Sequence, residues 1–332
     1  MGQIAQMAKK VIIFTSPVWL LAVVYLVCDP FYVLRHYDAY PDNYLHTFNR
    51  NRISTQVFLN ENKEQQYDSF VFGSSRSSVF YTKDWEKHID SKKTYHFDAS
   101  NEPISGIHGK VKFIAEQGND IKNALLIFDN ETFKYTADTA NSVIHIQDWR
   151  WTTQNRLSYH LVFFKAFFKE LYFVKYFDVL INKKYKPYMY GVFEPKHMLY
   201  TPVKNDFIFQ EYIDRIAADS LSYYQKNPFF ERSSEIYVET PSIEPYQVVY
   251  LNEIKAIFES KGTKYKIVFG PNYDQKGISP TDLEIVKEIF GSENVFNFAG
   301  VNSLTEPVGN YYEIYHYKPA VARTIMDSIY TK

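Results

Sequence analysis

The sequence predicts an α/β protein: a three-layer α/β/α sandwich on a five-stranded, mostly parallel sheet, with an apolar helix ahead of it. Three observations carry this. Five short strand-like segments alternate with segments of helical period, the pattern of a parallel sheet covered on both faces. Residues 11–28 (VIIFTSPVWLLAVVYLVC) contain no charge. Residues 150–234 break the alternation with a long aromatic stretch of helical character, which reads as an insertion covering the sheet or its site.

The first element is a membrane segment. Eighteen helical residues rise roughly 27 Å, close to the roughly 30 Å of a hydrocarbon layer. Lys9 and Lys10 precede the segment and Asp29 follows it. The positive-inside bias then puts the amino terminus in the cytoplasm and the body outside, in the periplasm or its equivalent. Pro17 is tolerable in such a helix. A cleaved signal peptide or a lipoprotein signal at Cys28 are the rival readings; Tyr25, Leu26 and Val27 are poor residues for either cleavage. The expected organisation is a tail and anchor over 1–28, a polar, aromatic juxtamembrane stalk over 29–66, and a catalytic-type domain over 67–332 with the insertion at 150–234.

Within the body, residues 69–72 form the first strand, ending at Gly73, and 79–89 read as the helix after it. Residues 94–99 are a second strand. Residues 106–118 are a helix with Val111, Ile114 and Ala115 on one face and Gly118 as its stop. The run ALLIF at 124–128 is a third, fully buried strand. In the insertion, 157–181 is apolar but interrupted by Lys165, Lys169, Glu170, Lys175 and Asp178. It is a poor spanning helix and suits a core, membrane-surface or partner-docking role. Afterwards come a helix at 248–260 stopped by Gly262, a strand at 265–269, a helix at 280–290, a strand at 294–298 and a closing helix at 321–330.

Composition narrows the function. The 332 residues carry 37 basic and 38 acidic side chains, so no long-range field favours nucleic acid. A single cysteine, Cys28, leaves no intrachain disulfide and no cysteine-based metal site. No phosphate-binding glycine loop, His-Glu-x-x-His or calcium-loop spacing occurs, and no metal or cofactor is expected. Aromatics reach 18 %, which suits a carbohydrate-facing or membrane-proximal protein, or a lineage that favours Tyr and Phe.

Chemistry is expected where the first strand ends. Residues 67–78 read YDSFVFGSSRSS. A strand that stops at Gly and turns toward a helix leaves a small side chain exposed at the carboxyl edge of a sheet. Free N–H groups at the helix start can receive a developing anion. Ser74, Ser75, Ser77 and Ser78 also suit plain helix capping. The second stretch is Glu313-Ile-Tyr-His316, a carboxylate and an imidazole three residues apart.

These two blocks resemble the SGNH (GDSL-type) hydrolases, in which a Gly-Asp-Ser block follows the first strand and an Asp-x-x-His block lies near the carboxyl end. The similarity is greatest to a membrane-anchored branch whose first block is matched here by Tyr67, Asp68, Ser69, Gly73, Ser74, Ser75 and Arg76. Members of that branch resemble alginate acetylation and teichoic-acid D-alanylation proteins and often accompany membrane-bound O-acyltransferases. The resemblance implies a flavodoxin-like SGNH fold, Ser75 as nucleophile, His316 as its base and Glu313 as the carboxylate that orients His316. Glu stands where the pattern has Asp, a longer side chain that serves the same role in some α/β hydrolases. The oxyanion donors implied are the Ser75 N–H and a residue of the two middle blocks, which are eroded here: Asn130 after the third strand, or Asn101 after the second. Arg76 has two readings, a ligand for a substrate anion or a salt-bridge partner. His96, His108 and His145 have no motif around them.

The function implied is a membrane-anchored, extracytoplasmic serine esterase or O-acyltransferase. Its substrate is an acyl group, most simply acetyl, on a cell-surface or exported glycan, with a membrane-bound acyltransferase as the natural partner. The alternative is a non-catalytic SGNH-like partner that docks such an acyltransferase or binds polysaccharide.

Overall fold

The computed structural model describes residues 2–40, 48–134, 143–152, 154–189, 193, 199–225, 232, 235 and 237–331. In chain order the elements are α1 (Gln3–Cys28), α2 (Arg50–Gln65), β1 (Ser69–Gly73), α3 (Thr82–Trp85), β2 (Thr94–Asp98), α4 (Ile104–Glu116) and β3 (Asn123–Phe128). Then follow α5 (Arg156–Phe168), α6 (Tyr172–Asn182), β4 (Leu199–Tyr200), β5 (Phe207–Ile208), α7 (Gln210–Ala218) and α8 (Ser220–Gln225). The chain closes with α9 (Pro245–Lys261), β6 (Lys264–Phe269), α10 (Pro280–Phe290), β7 (Val295–Asn297), β8 (Tyr311–Glu313), β9 (His316–Tyr317) and α11 (Pro319–Ile329).

The five expected strands form one sheet in the order β2-β1-β3-β6-β7. Every pairing in it is parallel, so the sheet is wholly rather than mostly parallel. The strand order reverses between β1 and β3: from β1 the chain goes to β2 on one side and then crosses to β3 on the other. That is the switch point at which open α/β sheets leave a crevice beyond the carboxyl ends of their strands.

Side-chain alternation divides the sheet between two cores. Phe70, Phe72, Tyr95, Phe97, Leu126, Phe128 and Phe269 face α2, α4, α9 and α10. Val71, Leu125, Ile127 and Val268 face the other way, onto Phe80, Trp85 and the α11 residues Val321, Ala322, Ile325 and Met326. The central strands β1 and β3 are buried on both faces and read as near-continuous apolar runs, whereas β2 (TYHFD) and β6 (KYKIVF) carry polar residues between apolar ones.

Helix α1 stands mostly clear of the body. Its most apolar 18-residue window has a mean hydropathy of 2.4 and is 6 % buried, so by length and composition it can cross a membrane. It ends at Asp29, which takes the left-handed conformation at φ 43°. The Asp29 carboxylate accepts from the backbone N–H groups of Val33, Leu34 and Arg35 and from the Tyr37 hydroxyl, which forces a tight turn. Arg35 Nη2 returns to cap the Leu26 and Val27 carbonyls at 2.9 and 2.6 Å. These are the carbonyls a helix end leaves without partners.

The stalk expected over 29–66 is corrected across its second half. Residues 50–65 are α2, and Ile53, Val57 and Phe58 belong to the larger core. The helix carried no legible period because its buried face is also polar. Arg50 Nε donates to Asp98 at 2.8 Å, Asn51 Nδ2 to Gln147 at 2.6 Å and Ser54 Oγ to the Asp98 carbonyl at 2.7 Å. The first half of that segment packs as well. Phe31 and Val33 join Tyr25 of α1 and the aromatic rings of α5 and α6 in a third cluster.

The helix expected at 79–89 is also corrected. A 3-10 turn, Ser75–Val79, precedes the single turn α3. The insertion divides into two parts. Helices α5 and α6 gather on the end of α1, while β4, β5 and α7 reach back to the sheet edge; parts of 150–234 lie outside the described residues.

Phe58 is fully buried and packs on Tyr67, Phe70, Tyr95 and Phe97. Phe58→Ala is expected to cost about 3–5 kcal/mol in chemical denaturation. Lys63→Ala on the outer end of the same helix should stay within about 0.5 kcal/mol. A Phe58→Ala loss as small as that of Lys63→Ala would show α2 to be a spacer after all.

Candidate active site

The site begins where β1 runs out. Gly73 has φ 153°, and a Cβ there would stand 2.7 Å from the Ile127 carbonyl oxygen and 2.9 Å from Ser77 Cβ. Only glycine lets the chain leave the sheet this close to β3. Ser74 then caps the 3-10 turn, its Oγ accepting from the Arg76 N–H at 3.3 Å. The same Oγ donates to Asp129 Oδ2 at 2.6 Å. Ser77 Oγ donates back to the Ser74 carbonyl at 2.7 Å, closing the turn. Ser75, between the committed Ser74 and Ser77 hydroxyls, is left half-buried.

The carboxyl-terminal stretch meets it there. Strands β8 and β9 are an antiparallel hairpin in which Glu313 pairs across to His316. Two turn residues between them explain the three-residue spacing, which puts carboxylate and imidazole side by side. His316 Nε2 lies 2.8 Å from Ser75 Oγ. His316 Nδ1 is bonded to Glu313 Oε1, and Glu313 Oε2 accepts from the Tyr315 N–H at 2.9 Å. With Nδ1 committed to the carboxylate, Nε2 is the acceptor for the Ser75 proton. His316 and Glu313 side chains are 18 % and 13 % exposed, so the row is sheltered yet open on one side.

The hairpin is clamped onto the turn. Tyr317 is buried and meets Phe80 edge to face, with ring centroids 6.2 Å apart. Phe209, just beyond β5 in the insertion, lies against the His316 ring at 4.7 Å. Tyr223 and Tyr224 of α8 donate to the Tyr312 and Tyr311 carbonyls at 2.6 and 2.8 Å. Burial first, then the Glu313 charge, raises the Tyr212 phenol above its ordinary value.

Of the two readings of Arg76, the structure displays the salt bridge. Its Nη1 lies 3.4 Å from Asp129 Oδ2, and its Nε donates to the Tyr315 carbonyl at 3.3 Å. Burial opposes its charge, but Asp129 and further negative groups outweigh burial and hold its pKa above the ordinary value. Arg76 therefore joins three segments: the turn after β1, the end of β3 and the β8–β9 hairpin.

Asn130 follows Asp129 at the same sheet edge. It is 9 % exposed, and its Oδ1 has no hydrogen-bond partner among the described residues. Asn101 is a left-handed turn residue after β2, at φ 52°, with no hydrogen bond to Ser75 or His316. Asp68 sits at the opposite end of β1 from Ser75. It accepts from Ser69 Oγ at 2.9 Å and pairs with Lys122 at 2.9 Å, a strand-end fastening rather than part of the site.

Sequence reasoning missed a second Ser-His-Asp row. Ser77 Oγ lies 3.0 Å from His96 Nε2, and His96 Nδ1 lies 3.4 Å from Asp206. Asp206 in turn accepts from the Thr82 N–H and hydroxyl at 2.9 and 2.7 Å. Ser77 and His96 are fully buried, so this row cannot meet a substrate; it fastens the turn after Ser75 to β2 and to the insertion. No local signal announces it, because Asp206 comes from the insertion.

No family model matches the chain, and no curated protein sequence matches it.

Arg76→Ala strands the nearly buried Asp129 carboxylate and should cost about 3 kcal/mol in urea denaturation. In an Asp129→Asn background the same change should cost less, with a coupling of about 1 kcal/mol or more. Additive losses would show that the pair does not hold the three segments together.

Proposed function

We propose that this protein is a membrane-anchored, extracytoplasmic serine esterase or O-acyltransferase of SGNH type. It acts on acyl groups, most simply acetyl, carried by a cell-surface or exported glycan. The observation that carries this reading is the unbroken row Ser75 Oγ, His316 Nε2, His316 Nδ1, Glu313, built from residues far apart in the chain. Its place at the switch point of a parallel sheet supports it further.

In the proposed reaction Ser75 Oγ attacks the ester carbonyl while His316 Nε2 takes its proton. Glu313 keeps the proton on Nδ1 and balances the imidazolium that forms. The Ser75 N–H and Asn130 receive the oxyanion. The tetrahedral adduct collapses, the ester C–O bond breaks, and His316 returns the proton to the departing sugar oxygen. The acyl group is then held on Ser75. Water or a second sugar hydroxyl, deprotonated by His316, attacks the acyl-serine and frees Ser75. Water gives hydrolysis; a sugar hydroxyl gives transfer. Arg76 is a positioning residue in this scheme, and α1, with Lys9 and Lys10 at its start, is the anchor whose charge bias places the body outside.

The second reading, a non-catalytic partner of a membrane-bound acyltransferase, is favoured by one observation. Leu171, Val174, Leu180 and Ile181 around α6 expose large apolar side chains beside the anchor. The two readings part at Ser75. Full-length protein in detergent micelles should be labelled by a fluorophosphonate and should hydrolyse p-nitrophenyl acetate, and Ser75→Ala should abolish both. Equal labelling of Ser75→Ala, or no labelling of the parent, removes the esterase reading.

Glu313→Gln keeps the shape of the row but removes the charge that fixes the imidazole tautomer. Turnover of p-nitrophenyl acetate should fall by about 10³–10⁴-fold, with KM little changed. A kcat within twofold of the parent would exclude Glu313 from the row.

A further inference from the structure

A cavity whose lining includes none of the Ser75 row lies where α1 ends. It encloses about 190 Å³, and its walls include Arg35, His36, Arg52, Arg150, Arg156 and His160. Few carboxylates answer these cations. Asp148 takes Arg150 through both oxygens at 2.8 Å and stands 3.9 Å from Arg52. Asp38 meets His36 at 3.3 Å from a fully exposed position. Asp29 is occupied by backbone N–H groups. Arg35 spends its contacts on helix carbonyls, and Arg156 lies over the Trp149 ring at 5.9 Å.

Two buried polar atoms on residues of the cavity wall have no hydrogen bond among the described residues. Arg52 is 8 % exposed; its Nη2 reaches only the Arg35 carbonyl at 3.1 Å, and its Nε has no hydrogen bond. His160 Nδ1 is likewise unpaired among the described residues. Burial, and then the Arg156 and Arg52 charges, push the His160 imidazole below its ordinary value, against the opposing Asp29 and Asp148. Buried donors without acceptors are costly, and guanidinium groups match the oxygens of a tetrahedral anion.

We propose that this cavity binds a phosphate group. The donors are Arg52 of α2 and Arg156 of α5, with His160 one turn beyond Arg156 on α5. This inference is independent of the Ser75 reading and stands if that reading fails. The cavity sits beside the last turn of α1, since Arg35 both lines it and caps Leu26 and Val27. Helix α5, which carries Arg156 and His160, also packs Phe164 and Phe167 on Tyr25 of α1. A lipid headgroup can therefore present its phosphate at this depth, and so can a soluble phosphate compound arriving from the aqueous side.

The test uses the full-length protein in neutral detergent micelles at low salt, following the fluorescence of Trp149, with Trp149→Phe as the signal control. One arm titrates inorganic phosphate; the other titrates short-chain phosphatidylglycerol, with phosphatidylcholine of equal chain length for comparison. Saturable binding is expected, weakened at least tenfold by Arg156→Gln, and weakened by added salt. Arg156 is exposed, so that variant keeps the fold, and an unchanged unfolding temperature verifies this. Arg52→Gln should weaken binding as much. Tighter binding of phosphatidylglycerol than of inorganic phosphate supports the site and assigns a lipid source; equal binding supports it and assigns a soluble one. No saturable binding in either arm, or binding indifferent to both substitutions, overturns the proposal.

Discussion

The Asp129 carboxylate holds the molecule's working edge in place. One oxygen accepts the Ser74 hydroxyl and faces Arg76; the other closes the turn after β3 on the Glu131 and Thr132 N–H groups. A charge nearly sealed from water is tolerable only with such a set of donors. Those donors belong to the two strands on either side of the switch point, so satisfying the charge fixes the two turns relative to each other. Arg76 then carries the constraint outward to the Tyr315 carbonyl and so to the hairpin that bears Glu313 and His316. Ser75 lies among side chains, those of Ser74, Arg76 and Ser77, that are already committed to hydrogen bonds.

Aromatic packing provides the stiffness behind that arrangement. The chain has 27 Phe and 29 Tyr, and many of those described gather in three clusters with different tasks. One backs the sheet against α2, α4, α9 and α10. A second presses Phe80, Phe209 and Tyr317 around the Ser75 turn and the β8–β9 hairpin. The third joins the end of α1 to α5 and α6. Ring pairs resist sliding because their edge-to-face geometry is directional. The third cluster means that the apolar helix is docked to the body through Tyr25 and Phe31 rather than tethered by a free strap. The cationic cavity is a consequence of that docking: Arg35 comes from beside the end of α1 and Arg52 from α2, while Arg156 and His160 come from α5.

Polar groups buried in pairs explain why parts of the fold escaped a reading by apolar period. Helix α2 buries Arg50, Asn51 and Ser54 against Asp98 and Gln147, so its inward face looks like an outward one in sequence. The Ser77, His96, Asp206 row is assembled from three separate segments, and none of the three residues has a neighbour in sequence that marks it. The helix read at 79–89 failed for a local reason. Ser77 and Ser74 close a tight 3-10 turn, and α3 adds only one turn before the chain enters β2.

What the sequence determined by itself was everything set by local chemistry. A long uncharged run marked α1, and short runs rich in apolar and aromatic residues between helical segments marked the five strands. Gly73 marked the exit from β1. The Glu313-x-x-His316 spacing marked a carboxylate and imidazole that a hairpin sets side by side. Tertiary structure alone decided which distant groups meet. It brought His316 to Ser75, turned Arg76 toward Asp129 rather than toward solvent, made a core helix of half the expected stalk, and left Asn101 as a turn residue. The physical reason is the same in each case. Strand and helix tendencies are read within a few residues, whereas ion pairs and buried hydrogen bonds depend on partners that only the folded sheet brings within 3 Å or so.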